Sequence, residues 1–161
     1  MNKADLKEFL DAKVVEYNHP KFLESDPIQI PHRYSVKEDI EISAFLTATI
    51  AWGNRKSIIN NASKLMDLMD NAPYDFVMRH QDSDLVKLSS FVHRTFNGGD
   101  LAFFIKSLGN IYSKHNGMEA VFARNPLKGT TQPAISAFKE VFFELPHFQR
   151  TTKHISDPMK G

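Results

Sequence analysis

Residues 35–69 read SVKEDIEISAFLTATIAWGNRKSIINNASKLMDLM, and this stretch decides the fold class. Ser35 followed by Glu38 has the spacing of a capping box, and Ile40, Phe45, Leu46, Thr49, Ile50 and Trp52 then recur at three-and-four intervals, predicting a largely buried helix that runs to Trp52. Gly53 suits a helix C-terminal position that needs positive φ, and Asn54 is a good N-cap for the next element. Ile58, Ile59, Ala62, Leu65, Met66 and Met69 keep the same period, so a further helix is expected from about Arg55 to Asp70. Two helices therefore meet at a very tight Gly53-Asn54 turn.

Toward the N-terminus, Leu6, Phe9, Leu10 and Val14 at helical spacing, with charged residues between them, predict an amphipathic helix. It ends near Asn18, because Pro20 bars its continuation. Asp26, Pro27, Ile28, Gln29, Ile30 and Pro31 predict an extended, packed connector, since each proline disfavours helical geometry in its predecessor. Toward the C-terminus, Pro73 opens a short helix around Tyr74 to Met78, and Ser83 or Asp84 caps another carrying Leu85, Leu88 and Phe91. Asn97, Gly98 and Gly99 make a turn, after which Asp100 caps a helix with Leu101, Phe104, Ile105, Leu108, Ile111 and Tyr112 on one face, closed by Gly117. Met118 to Phe122 is a short helical piece, residues 125–132 read as a loop and the best internal boundary, and Ile135, Phe138, Val141, Phe142 and Leu145 form a last helix stopped at Pro146. Strand-like alternation is nowhere sustained. The expectation is an all-α fold of about six to eight helices, one domain over residues 1–161, with no internal repeat.

Composition narrows the function classes. Of 161 residues, 42% are hydrophobic and 24% charged, as in a globular protein with a packed core. Twenty basic and nineteen acidic side chains leave a net charge of +1, so the overall field neither demands nor excludes nucleic acid, and any anion site is a local patch. The absence of cysteine removes disulfides, thiolate zinc sites and thiol nucleophiles. The charged N-terminus has no signal-peptide core, and the longest apolar segment, Ile42 to Trp52, falls far short of the roughly 20 residues of a membrane span, which predicts a cytoplasmic protein without a membrane partner. The tail from Asp157 to Gly161 shows no cap or docking role and follows Arg150 to Ser156, which reads as the start of an element; this predicts that the chain continues past Gly161.

The most informative local feature is the turn itself. Gly53, Asn54, Arg55 and Lys56 place free backbone N–H groups and two cations at a helix start, which suits a phosphate or, equally, an ordinary solvated corner. Trp52, the single tryptophan, suits base stacking beside the turn or burial in the core. His32-Arg33 precedes a helix N-terminus and His93-Arg94 precedes the Asn97-Gly98-Gly99 turn, and each pair suits either an anion contact or simple capping and solvation. No two of the seven histidines have the four-residue spacing of a helical zinc site. The group His80, Asp82 and Asp84 lies where one helix ends and the next is capped, which explains it structurally, so no metal and no cofactor are expected. Asp39 and Glu41 sit on a charged helix start, and nucleophile elbows, P-loops and dinucleotide fingerprints are missing.

Taken in order, Asp26-Pro27-Ile28, Ile30-Pro31-His32-Arg33-Tyr34, Glu38-Asp39-Ile40-Glu41-Ile42, Phe45, Ala48 and Ala51-Trp52-Gly53-Asn54-Arg55 form an ordered set of motifs. Phe91, His93-Arg94, Phe96-Asn97, Asp100-Leu101 and the Gly117-Met118-Glu119 segment ending at Phe122 extend it. In this set the chain resembles the N-terminal portion of an uncharacterised bacterial conserved-hypothetical family, and distantly the helix-hairpin-helix DNA glycosylases. The glycosylase resemblance implies duplex DNA as partner, with Trp52 to Lys56 in the place of a polar turn near the lesion, Arg55 and Lys56 on phosphates, and Trp52 or Asn54 near the distorted base. The glycosylase hairpin and the aspartate before a histidine-containing helix have no counterpart, in Asn125 to Gly129 or in Asp157 to Gly161. The resemblance thus puts the excision carboxylate past Gly161 and assigns no catalytic residue to this chain. Two other readings stand beside it. One is a non-enzymatic helical interaction module, which near-zero charge and abundant phenylalanine suggest, its apolar surface meeting another chain or a missing C-terminal half. The other is a small-molecule hydrolase built on His80, Asp82 and Asp84.

Overall fold

The computed structural model describes residues 2–124 and 130–159. It is an all-α architecture, with eight α-helices and several 3₁₀ turns among the described residues. α1 (Lys3–Tyr17) leads through 3₁₀ turns at Pro20–Ser25, Pro27–Gln29 and Pro31–Arg33 into α2 (Lys37–Thr49) and α3 (Arg55–Leu68). α4 (Pro73–Arg79), α5 (Asp82–Lys87) and a turn at Leu88–Ser90 precede a small hairpin of β1 (Val92–His93) and β2 (Phe96–Asn97). α6 (Gly98–Lys114), α7 (Met118–Ala123), α8 (Gln132–Phe142) and a 3₁₀ turn at Gln149–His154 complete the order.

α6 is the central element, burying Leu101, Phe104, Ile105, Leu108 and Ile111 along one side, with α2, α4 and α8 packed around it. Phe104 meets Phe142 of α8 at 4.8 Å between ring centroids and Phe45 of α2 at 5.8 Å, so three helices join through one aromatic cluster. Each such ring contributes on the order of 1.5–3 kcal/mol from burial alone. Polar ties fix α2 against its neighbours: the Asp39 carboxylate accepts the Tyr74 amide at 2.8 Å, and Glu41 accepts the Tyr112 hydroxyl at 2.7 Å. Burial, then the hydrogen bond to Glu41, pushes the Tyr112 phenol well above its ordinary pKa.

Several local expectations need correction. The Asp26–Pro31 connector is not extended. Pro27 and Pro31 each stand at the first position of a 3₁₀ turn, where a missing N–H costs nothing, and the Asp26 side chain accepts the Ile28 amide at 3.0 Å. Ile30 stays helical at φ −67° and ψ −57° although Pro31 follows it, because its side chain is fully buried there. No Ser35–Glu38 capping box forms. α2 starts after Val36, and Asp39, three residues on, is turned to the Tyr74 amide of α4 instead. α2 ends at Thr49 and not at Trp52, leaving residues 50–54 as a short irregular corner.

Asn97, not Asp100, is the N-cap of α6: Asn97 accepts the amides of Gly99 and Asp100 at 3.0 and 3.1 Å, while Asp100 accepts the Asn97 amide at 3.1 Å. Likewise α5 starts after Gln81, and Asp84 accepts the Gln81 amide at 3.0 Å from the third helical position. The β1–β2 hairpin has no periodic signature because each strand is two residues long. α1 ends as expected, with Asn18 as its C-cap, yet none of its residues is buried: Leu6, Phe9, Leu10 and Val14 are 41–58% exposed.

The C-terminal segment also differs from expectation, since it is docked. Thr151 donates to Asp100 Oδ1 at 2.8 Å, Arg150 reaches Asp100 Oδ2 at 3.2 Å and the Thr95 carbonyl at 2.8 Å, and Ile155 joins the core. Asp157 accepts the Ser136 hydroxyl at 2.6 Å and the Met159 amide at 3.1 Å. Residues 125–129, the first part of the loop read as an internal boundary over 125–132, lie outside the described residues.

Candidate functional site

The corner between α2 and α3 is positioned from two sides. Its own backbone turns at Gly53, which has φ +113°, a conformation that favours glycine. The β1–β2 hairpin then presses His93 and Arg94 against it from 40 residues along the chain. His93 is 4% exposed and makes two hydrogen bonds that together define its neutral tautomer. The Asn61 side-chain amide donates to Nδ1 at 2.9 Å, and Nε2 is therefore the protonated nitrogen, donating to the Trp52 carbonyl at 3.3 Å. His93 is thus a buried brace between α3 and the corner, with its ring edge-on to Trp52 at 6.2 Å.

Arg94 is the exposed half of the pair. Its backbone has φ +53°, as the tip of the hairpin requires, and its guanidinium lies 5.0 Å from the centroid of the Trp52 ring. Trp52 itself is 39% exposed, so it is no core residue. The guanidinium passes directly over Gly53: a Cβ built on Gly53 falls within 2.7 Å of it. Glycine is needed at this point for the backbone angle and for the passage of Arg94.

On the far side of Gly53, Asn54 caps α3 as expected, accepting the Ser57 amide at 3.2 Å. The amides of Arg55 and Lys56 belong to the first helical turn, which no helical carbonyl reaches, and both side chains are exposed. Arg55 stands 4.0 Å from Asp26 Oδ2, a loose, half-exposed ion pair. Trp52, Gly53, Asn54, Arg55, Lys56, His93 and Arg94 therefore form one continuous corner, with a guanidinium held over an indole on one flank and a helix N-terminus on the other.

His32 and Arg33 do not join this group. Arg33 donates to Ser63 at 2.9 Å, and Ser63 lies two residues, or about 200° of helix, from Asn61, so Arg33 and His93 approach α3 from opposite sides. His32 lines a separate groove beside Leu10, Val14, Tyr17 and Phe22. The His80 group is likewise local: the ring Nδ1 lies 3.1 Å from the Phe76 and Val77 carbonyls at the end of α4, and Asp84 pairs with Lys87 at 2.8 Å. Among the described residues no group of three or more His, Asp or Glu is arranged to hold a metal ion. No described helix is long and apolar enough to cross a membrane.

Two side chains position the corner in ways that the sequence does not show. Asn61 orients His93, and its only signal is a polar side chain three residues after Ile58 and four before Leu65, inside an apolar row. Asp100 looks like a helix cap in sequence, yet it is 2% exposed and gathers Asn97, Arg150 and Thr151 around one carboxylate. His154 adds its Nε2 at 3.3 Å from Asp100 Oδ2, without the angle of a hydrogen bond. This cluster holds the C-terminal segment beside the hairpin that carries Arg94.

Comparison with curated proteins and with solved structures gives no match. A family model described as "Protein of unknown function (DUF2400)" matches residues 26–161, from the Asp26 turn through the corner, the hairpin and the docked C-terminal segment, and the chain belongs to that family.

Proposed function

We propose that the chain is a DNA-binding helical module of a glycosylase-like base-excision-repair protein, and that the corner from Trp52 to Lys56 with Arg94 is its duplex contact. The observation that carries the reading is the exposed Arg94 guanidinium held 5.0 Å over the indole of Trp52, next to the N-terminus of α3. An arginine fixed over an aromatic ring keeps its outward donors directed at solvent, with less rotamer freedom to lose on meeting a phosphate. The first-turn amides of α3, with Arg55 and Lys56, offer a second phosphate contact close by. Because the whole chain carries only +1, binding depends on this local group and not on a general basic surface. The glycosylase resemblance in the ordered motifs supports the same placement. The proposal concerns binding, and no catalytic group is assigned to these residues.

The test is fluorescence anisotropy of a labelled duplex across a salt series. Replacing Arg55 and Lys56 together by Ala weakens binding and lowers the salt slope by up to about two units, because two phosphate contacts release their counterions. Affinity and slope unchanged by the double substitution rule this contact out. A second reading, a protein-interaction module, draws on a different observation: Leu6, Phe9, Leu10, Val14 and Tyr17 of α1 are all more than 40% exposed. Under that reading duplex binding is absent altogether, and α1 is the element whose substitution disturbs association.

A further inference from the structure

Phe148 stands just before the 3₁₀ turn at Gln149–His154 and is 76% exposed, more than any other aromatic residue among those described. Phe103, Phe143 and His147 pack on one another at 4.9–5.4 Å between ring centroids, and the Phe148 ring joins none of these contacts. It lines two clefts instead. One, of about 500 Å³, is walled by Phe103, Lys106 and His147; the other, of about 330 Å³, by Ser89, Asn97 and Arg150. Gly99 belongs to both, so the clefts meet at Phe148 and the first turn of α6. The charge around them has one sign. Lys106 is exposed and forms no ion pair among the described residues. Arg150 is half-exposed, and its bonds to the Thr95 carbonyl and to Asp100 both run through Nη2, which leaves Nη1 and Nε for a ligand. Among the described residues the one carboxylate that lines either cleft is Asp100, which is 2% exposed and already accepts from Arg150, Thr151 and Asn97.

We propose that Phe148 is a stacking platform for the unpaired bases of a single strand, with Lys106 and Arg150 on the phosphates that flank them. A bare ring among unopposed cations complements a polyanion that carries flat apolar groups, and it holds such a strand without reading its sequence, since every base has a π-face. A paired base already has its faces covered by its neighbours in the duplex, so the platform selects single-stranded segments. Each of the two clefts has room for one base beside the ring. The strand also has a route to the corner, because Arg150 holds the carbonyl of Thr95, the residue after Arg94 at the hairpin tip. The course of the strand rests on the duplex reading of the corner, to which it adds a single-stranded branch; the platform itself stands on Phe148 and its cations. A duplex with a single-stranded overhang thus sets its paired part on Trp52 and Arg94 and its loose bases on Phe148.

The experiment measures fluorescence anisotropy of four labelled probes titrated with the full chain: a blunt duplex, the same duplex with a single-stranded overhang, that overhang with abasic sites in place of its bases, and the single strand alone. The overhang raises affinity over the blunt duplex by about tenfold, and the abasic overhang keeps only the smaller part that its phosphates supply. Because Phe148 is exposed, Phe148→Ala leaves the melting temperature unchanged; it abolishes the gain from the overhang while the blunt duplex binds as before, and Phe148→Trp restores the gain. Lys106→Ala lowers the salt slope by about 0.7 for the overhang probe and not for the blunt duplex. An overhang that adds nothing, a gain that abasic sites keep in full, or a gain that Phe148→Ala leaves intact overturns the proposal, and blunt-duplex binding that depends on Arg55 and Lys56 then leaves the corner standing. Equal weakening of the blunt duplex by Phe148→Ala also overturns it, since the ring then belongs to the duplex contact. Single-strand binding that depends on Phe148, without blunt-duplex binding, keeps the platform and discards the corner. Binding of none of the four probes discards both and leaves the face to a protein partner.

Discussion

At Gly53 one residue meets two requirements, a backbone at φ +113° and an open path for the Arg94 guanidinium. Gly53→Ala accordingly costs about 1–3 kcal/mol of stability through backbone strain and pushes Arg94 off Trp52. Chemical denaturation checks the first effect, and a change in the emission of Trp52, the single tryptophan, checks the second. The positive φ of Gly53 and the N-cap role of Asn54 are legible from residue type alone, since both are local properties, but α2 ends at Thr49, so Gly53 is not the helix C-terminal residue that the sequence predicts. The partner of Trp52 is not legible. His93 and Arg94 lie about 40 residues away, and nothing in a four-residue turn indicates which distant hairpin closes over it. Of the two readings of Trp52, burial in the core is excluded by its 39% exposure, and the ring forms a platform under the Arg94 cation.

Helices announce themselves through periodic burial, and the elements read with least error are those with a well-defined apolar stripe, α3 and α6. Boundaries moved where tertiary contacts took over capping groups, as when Asp39 serves Tyr74 and leaves α2 to begin at Lys37. The prolines at 27 and 31 were misread for a related reason: a proline forbids a helix it interrupts but opens a turn it begins. α1 carries the opposite lesson. Its sequence has an apolar row, yet no residue of it is buried, so its stability rests on intrinsic propensity and on the Asn2–Asp5 capping box, in which Asn2 accepts the Asp5 amide at 2.9 Å. A helix of this length without a buried face is marginal in water. In native-state hydrogen exchange the α1 amides open with free energies near zero, whereas those of the α6 core helix approach the global value. Protection of α1 comparable to that of α6 in the isolated chain contradicts this description.

On the scale of the whole molecule, the C-terminal turn at Gln149–His154 closes over the start of α6 and thereby steadies the hairpin that presents Arg94, since Arg150 bonds both the Thr95 carbonyl and Asp100. Such a long-range dock leaves no periodic trace in sequence: Arg150 to Ser156 reads only as the start of an element, and nothing in it points to Asp100 as the partner. His154 makes the dock sensitive to acid. Its side chain is 5% exposed, and burial lowers its pKa below the ordinary 6.5, outweighing the attraction of Asp100, while Lys153 and Arg150 act in the same direction as burial. The unfolded chain then binds the proton first as pH falls, so this contribution is complete above about pH 6.5 and is lost progressively below it. Thermal melts from pH 8 to 5 show a falling midpoint that is shallower in His154→Gln, and equal pH dependence in the two proteins refutes the assignment.

The central claim, that the corner of Trp52 and Arg94 is where nucleic acid is engaged, has a built-in reporter because the chain contains one tryptophan and it lies under Arg94 at the proposed contact. The decisive measurement is the emission of Trp52 during titration with an unlabelled duplex at low salt, in the native chain and in Arg94→Ala. The account predicts a saturable change in emission that fades with added salt and is weakened about tenfold or more in Arg94→Ala, in line with one lost charge-assisted contact. Emission that stays constant through the titration, or changes identically in both proteins, contradicts it.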